Sequence, residues 1–231
     1  MAYSRNEIIE KCRKEFCSIN TFYQSEIINY RGRCSDTGTP YTEVVAEFVC
    51  EHIDDFISGI PQITRKTSYK TESHNGIYNP ASNRMEEIIA MRMYKYCSDG
   101  GQFDYIGKII DYQTPLKSAK TDEAGKIDLL AYDGEKLRVL ELKKPDSKES
   151  MLRCVLEGFT YLKTVDKAKL LIDFDLPADT EILACPFVFR RGEQWQEMQE
   201  ERPLLHRLMG LLNSKPYYIK AEKGNYSIVE E

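Results

Sequence analysis

Two short stretches hold the residues best suited to chemistry. In Lys126-Ile127-Asp128-Leu129-Leu130 a single carboxylate interrupts an apolar run, and in Leu140-Glu141-Leu142-Lys143-Lys144-Pro145 a Glu and a Lys stand two residues apart. Side chains alternate across a strand, so Glu141 and Lys143 share one face while Leu140 and Leu142 take the other. Asp133-Gly134, between the stretches, is a hairpin-turn dipeptide, and a tight turn there brings Asp128 near Glu141. Two carboxylates supply hard oxygen ligands for Mg2+ or Mn2+. A metal so held polarises a phosphoryl oxygen and lowers the pKa of a bound water. An ammonium beside it orients that water or meets charge developing on phosphorus. The plain alternative is an exposed acid next to a surface ion pair, which is worth little.

The elements that must position these groups can be read around them. Glu7 to Asn29 mixes apolar and charged residues at helical spacing, and Arg31 to Thr39 reads as a loop. Thr39 as N-cap and Pro40 at the first helical position start a helix carrying Val44, Val45, Phe48, Val49 and Phe56, which ends near Gly59-Ile60-Pro61. Ser58 to Pro80 is polar and irregular, an exposed loop or arm. Asn83 opens another helix, with Met85, Ile88, Ile89 and Tyr96 as its buried face and Gly100-Gly101 as its stop. Three strands follow, at Ile106 to Gln113, Lys126 to Tyr132 and Lys136 to Lys143. A helix from Lys148 to Val165 turns Leu152, Val155, Leu156 and Phe159 to the core. Lys169 to Phe174 and Ile182 to Phe189 read as two more strands, Gln194 to Leu212 as a late helix with Pro203 a candidate break, and Tyr217 to Val229 as a short terminal strand or tail.

Asp128, the twelve residues after it and Glu141-Leu142-Lys143, set in this order of helix, three strands, helix and strand, resemble the active-site motif of the PD-(D/E)xK nuclease superfamily. The resemblance runs from about Asn83 to Phe189. Ile127 stands where many members have proline, a position at which the family is tolerant. It implies an α/β restriction-endonuclease-like core, a mixed sheet flanked by helices, over residues 81–231, with residues 1–80 as a helical N-terminal extension. It also implies a metal-dependent nuclease, acting on DNA for preference, whose products carry a 5′-phosphate and a 3′-hydroxyl. Asp128, Glu141 and the backbone carbonyl of Leu142 would hold Mg2+ or Mn2+, and Lys143 would be the catalytic lysine.

The preceding helix often supplies a further acid in this family. Glu86 lies at the flank of the expected buried face and Glu87 nearly opposite it, so Glu86 is preferred, although Asn83 and Glu86 could also be an N-cap and its capping-box partner. On the following helix Glu157 and Tyr161, four residues apart, resemble the Gln-x-x-x-Tyr element of the RecB-like branch with Glu in place of Gln. Arg153, one turn earlier, joins them as a substrate-positioning residue, and Lys144 is placed with them as a solvated neighbour of the motif. A catalytically silent binding or partner module on the same fold, and an RNA-directed nuclease, are the competing readings. The helical N-terminal third would add a substrate-binding wall or a homodimer interface, and no motif chooses between these.

The chain's 231 residues carry 32 Lys and Arg against 37 Asp and Glu, a net charge of −5 that argues against a polycationic nucleic-acid coat. The charge is unevenly spread. Residues 136–169 hold nine basic against five acidic residues, whereas 170–231 hold seven against eleven. The positive excess therefore falls on the third strand and the helix after it, where a phosphate backbone would approach. Apolar residues make up 42% of the chain, too many for a disordered protein.

The seven cysteines are odd in number and scattered, and the first residues lack an apolar export signal, so a reducing, cytoplasmic setting is expected. The longest apolar stretch, Ile182 to Phe189, is too short to span a bilayer, so no membrane partner is expected. His52, His74 and His206 show no metal-ligand spacing, and there is neither a Gly-rich phosphate loop nor a Gly-x-Ser-x-Gly elbow. Fifteen tyrosines are present, but Tyr23, Tyr30 and Tyr69 cannot be placed relative to the motif from sequence.

Overall fold

The central hairpin forms because its turn is chemically specified. Asp133 Oδ1 accepts from the backbone N–H of Glu135 (2.9 Å) and of Lys136 (2.8 Å), and Gly134 takes φ +104°, a region open to glycine. That turn pairs β2 (Lys126–Tyr132) with β3 (Lys136–Leu142) in antiparallel register from Tyr132↔Leu137 to Leu129↔Leu140. In this computed structural model, which describes residues 2–119, 122, 124–222 and 224–230, the hairpin is the middle of a six-stranded mixed sheet.

β1 (Lys108–Pro115) lies antiparallel on the outer side of β2, and β4 (Glu181–Phe189) lies parallel to β3. β5 (Tyr217–Glu222) runs parallel to β4, and β6 (Asn225–Val229) closes the edge antiparallel to β5. Strand order in space follows strand order in the chain. The two parallel pairings each need a crossover. α5 (Met151–Thr164) and α6 (Lys167–Asp173) supply the first, and α7 (Glu193–Met198) and α8 (Pro203–Leu211) the second.

Helices cover both faces. On one side α4 (Met85–Ser98) packs against β1 and β2, burying Ile89, Ala90, Met93 and Cys97 with Leu129, Leu140 and Phe187. On the other, α5 packs against β3 and β4, burying Leu152, Val155, Leu156 and Phe159 with Leu130, Val139 and Val188. The helices of the N-terminal third join this second core. α1 (Arg5–Glu15), α2 (Tyr41–Glu51) and α3 (Ile53–Gly59) contribute Ile8, Val45, Val49 and Phe56 to it, and α2 packs on α8. Two buried acids in this region serve helix ends. Glu43 accepts from the N–H groups of Leu204 and Leu205 at the start of α8, both at 2.9 Å, and Glu197 accepts from Met151 N at the start of α5, at 2.8 Å.

The order helix, three strands, helix, strand is present, but several elements differ from the sequence reading. Lys169 to Phe174 is not a strand: it falls mostly on α6, whose N-cap Asp166 accepts from Lys169 N at 3.1 Å. Thr39 does not cap α2. Its carbonyl is taken by Cys34 N (2.8 Å), the cap position is Pro40, and the helix begins at Tyr41. The long first helix stops at Glu15 and continues as 3₁₀ turns over Phe16–Gln24 and Glu26–Asn29. The late helix is divided, α7 stopping at Met198 and α8 beginning at Pro203, and the C-terminal tail is the β5–β6 hairpin, of which residue 223 lies outside the described residues. The irregular segment before α4 is tied down at three points. Ile63 bridges Val165, Tyr69 is fully buried, and His74 Nδ1 lies 2.6 Å from Asp111 Oδ1.

Candidate active site

Continuing the β2–β3 register by one residue sets Asp128 opposite Glu141, on the face that α5 covers. Asp128 Oδ2 accepts from Leu142 N (3.0 Å), which ties the start of β2 to the end of β3. Its Oδ1 accepts from Gln113 Nε2 at 2.9 Å. Gln113 reaches it from β1, where the register shifts between Ile109 and Asp111 and Gln113 itself takes φ +49°. Leu142 thus makes contact here through its N–H.

Lys143 extends β3 by one residue, its N–H donating to Phe187 O at 3.1 Å. Its side chain turns to the same face as Glu141, as the alternation requires. Both are almost fully buried, at 5% and 3% exposure. The ammonium lies 2.8 Å from Glu141 Oε1, 2.6 Å from Glu149 Oε2 and 3.1 Å from Glu157 Oε2. Arg153 lies between the last two carboxylates, with Nε 3.1 Å from Glu149 and 3.4 Å from Glu157. Tyr161 Oη donates to Glu157 Oε1 at 3.0 Å. Tyr23 Oη lies 3.5 Å from Tyr161 Oη and itself accepts from Gln24 Nε2 at 2.7 Å. A hydrogen-bonded chain therefore runs from the N-terminal third through Tyr161 and Glu157 to Lys143.

Glu86 enters from the opposite helix layer and accepts from Lys144 N at 3.1 Å. Glu86, and not Glu87, lines the cleft, and the buried face from which it was chosen is present only in part. Of the expected face Ile88 and Ile89 are buried but Met85 and Tyr96 are half exposed, and Ala90, Met93 and Cys97, with which Glu86 is aligned at i, i+4, i+7 and i+11, complete the buried side. Asn83 does not cap α4, no side chain bonds at its cap, and Glu87 pairs outward with Arg84 at 3.0 Å. Lys144 Nζ lies 3.3 Å from Asp146 at the mouth.

These groups line an open cleft of about 470 Å³. A second cleft of about 610 Å³ adjoins it, sharing Arg153, Glu157 and Tyr161 and walled by Tyr23, Gln24 and Lys117. Of the residues named from sequence, Glu86, Asp128, Glu141, Lys143, Lys144, Arg153, Glu157 and Tyr161 line the first cleft, and Leu142 does not. Sequence reasoning missed Glu149, Gln113, Tyr23 and Gln24. Of these, Glu149 carried a signal: Glu149, Arg153, Glu157 and Tyr161 repeat every four residues. The positive φ at Gln113 and the 3₁₀ path that delivers Tyr23 follow no periodicity.

The charges are unevenly satisfied. Burial pushes the Asp128 carboxyl up to about 7 against the pull of Lys143, with Glu157 and Glu86 adding to the rise. Burial, then Glu157, holds Glu141 well above the usual carboxylate range. Burial also works against the Lys143 ammonium, but Glu141, Glu157 and Glu149 outweigh it and hold the pKa well above the ordinary lysine value. Glu157 resists its own burial through Lys143 and Arg153 and stays below the ordinary glutamate value. Glu157 is thus amply paired, whereas Asp128 and Glu141 are short of positive charge. Among the described residues no three His, Cys, Asp or Glu side chains form a ready ion cage. Two carboxylates completed by water and substrate oxygens are the donor set that suits Mg2+.

Compared with family models, with curated proteins and with solved structures, the chain matches none of them. Among the described residues no helix is long and apolar enough to cross a membrane.

Proposed function

We propose that the protein is a metal-dependent phosphodiesterase acting on nucleic acid, DNA for preference, built on a restriction-endonuclease-like core. One observation carries the reading. Asp128 and Glu141 oppose each other across a hairpin in the lining of a cleft, with the Lys143 ammonium on the same face. Asp128 and Glu141 would hold Mg2+ or Mn2+. When bound, that ion polarises a phosphoryl oxygen and lowers the pKa of a water.

The chain's own groups do the rest. Lys143 meets negative charge developing on the phosphoryl group, and Glu149, Glu157 and Arg153 fix its position. Glu86 anchors the backbone at Lys144, so the two helix layers close on the strand ends from opposite sides. Lys126, Lys144 and Lys148 at the mouth receive the phosphate backbone. The N-terminal third acts as a substrate wall, since Tyr23 and Gln24 line the adjoining cleft. Hydrolysis would leave a 5′-phosphate and a 3′-hydroxyl. The seven cysteines are free thiols, which suits a reducing, cytoplasmic setting.

The silent-module reading has one observation in its favour: Lys143 is already bound by three carboxylates and both Asp128 oxygens are engaged. A cleavage assay separates the readings. Plasmid, linear duplex, single-stranded DNA and RNA are incubated with Mg2+, Mn2+ or chelator, using wild type, Asp128→Ala and Lys143→Ala. The nuclease reading expects metal-dependent cleavage by wild type alone, with the substrate panel choosing between DNA and RNA. Cleavage that survives both substitutions contradicts the site, and no cleavage of any substrate favours the silent module.

A further inference from the structure

At the other end of α4 from Glu86 lies a separate cleft of about 540 Å³, on the far face of the sheet from α5. Its lining holds Arg92, Lys95, Tyr78, Tyr96, Phe103 and Tyr226 and, among the described residues, no acid. Two of the seven large apolar side chains exposed among the described residues, Tyr78 and Tyr96, stand in its lining.

Tyr96 is the informative residue. Its ring is 50% exposed and yet held on several sides. It tilts against Phe103 with centroids 5.0 Å apart, and its hydroxyl donates to Gln102 O at 3.5 Å. It lies so close over Gly101 that a Cβ there would meet the ring at 2.4 Å. A bare backbone thus pins an exposed ring in one orientation, which lowers the entropy lost when a second ring stacks on it.

Beside it sit two cations with donors to spare. The Arg92 guanidinium rests over the Tyr226 ring at 5.2 Å, donating to Gly224 O (2.6 Å) and to Tyr226 Oη (3.3 Å), which uses two of its five N–H groups. Lys95 Nζ is bound by Asp99 at 2.5 Å, leaving two of its three N–H groups. The chemistry that matches a fixed ring face beside two cations is a flat aromatic ring carrying an anion. Stacked bases beside a positive groove are held in this way.

We propose that this cleft binds a nucleoside phosphate, either free or as one unit of a single strand, with the base on Tyr96 and the phosphate on Lys95 and Arg92. The proposal does not rest on the phosphodiesterase reading, because no residue is shared between the two clefts.

The test is calorimetric titration in chelator, on wild type and on Asp128→Ala, with adenosine monophosphate, adenosine, inorganic phosphate and a short oligodeoxyadenylate. The expected result is nucleotide binding tighter than that of adenosine or phosphate alone. Tyr96→Ala should weaken it about tenfold, Tyr96→Phe should leave it unchanged, and Lys95→Ala should weaken the nucleotide but not adenosine. Asp128→Ala should bind as wild type does, which separates this cleft from the acidic one. Tighter Tyr96-dependent binding of the oligonucleotide identifies the source as a strand. Binding of the mononucleotide with exclusion of the oligonucleotide identifies it as a free nucleotide. Binding that Tyr96→Ala leaves unchanged, or no binding of either probe, overturns the proposal, and circular dichroism of each variant excludes misfolding as the cause.

Discussion

The two ends of α4 hold recognition chemistry in opposite ways. At the N-terminal end Glu86 faces a cleft whose charges are buried and bound to one another, so that Lys143 alone contacts three carboxylates. At the C-terminal end Tyr96 is half exposed and held by a glycine backbone and one neighbouring ring. In the first place function and stability share the same atoms, because a buried charge that loses its partner is left uncompensated in a medium of low dielectric. In the second, the ring contributes little to the core, so its loss should be felt by a ligand and hardly by the fold.

The sharpest way to break that contrast is Lys143→Met. It leaves Glu141, Glu149 and Glu157 without their shared ammonium, and urea denaturation at neutral pH should show a loss of about 3–5 kcal/mol. Cleavage should vanish with it. A stability change near zero would mean that the charges at this end are not interlocked.

Glu157→Gln is the next largest, at about 1–3 kcal/mol, since the amide still accepts from Tyr161 but no longer neutralises Lys143 and Arg153. Its pH dependence has a definite sign. The folded pKa of Glu157 lies below the ordinary value of 4.5, so its contribution is present above pH 4.5 and is lost as pH falls through the folded pKa. The difference between wild type and variant, followed by thermal melts, should therefore shrink on acidification below pH 4.5. A gap that widens there would reverse the assignment.

Tyr23→Phe removes the hydroxyl that joins Gln24 to Tyr161 and should cost about 1 kcal/mol in the same melts. Cleavage should fall severalfold through displaced Glu157 and Lys143, with KM little changed. The smallest effect on stability is expected from Tyr96→Ala, within about 0.5 kcal/mol, with cleavage of duplex DNA unaltered. A large destabilisation would show that Tyr96 is a packing residue after all and would erase the contrast between the two ends.

What could be read beforehand follows the same division. Asp128, Glu141 and Lys143 were legible because a turn dipeptide and a two-residue alternation are local rules, and together they determine which side chains share a face. Glu157, Arg153 and Tyr161 were legible from helical spacing. The buried face of α4 was half read: Ile88 and Ile89 are buried, but Met85 and Tyr96 are apolar yet exposed at its two ends, while the stripe that packs includes small Ala90 and Cys97. Lys169 to Phe174 was misread because a short apolar run fits a strand or a helix equally well, and the Asp166 cap decides it. Gln113 and Tyr23 reach the site along irregular backbone, where no period exists to be read.

The account turns on whether Asp128 and Glu141 together take up one divalent cation. Titration of Mn2+ into wild type, Asp128→Asn and Glu141→Gln, followed by calorimetry, tests this directly. The prediction is a single site in wild type, weakened at least about tenfold by either substitution. Unchanged Mn2+ affinity in both variants, or no binding by wild type, would contradict it.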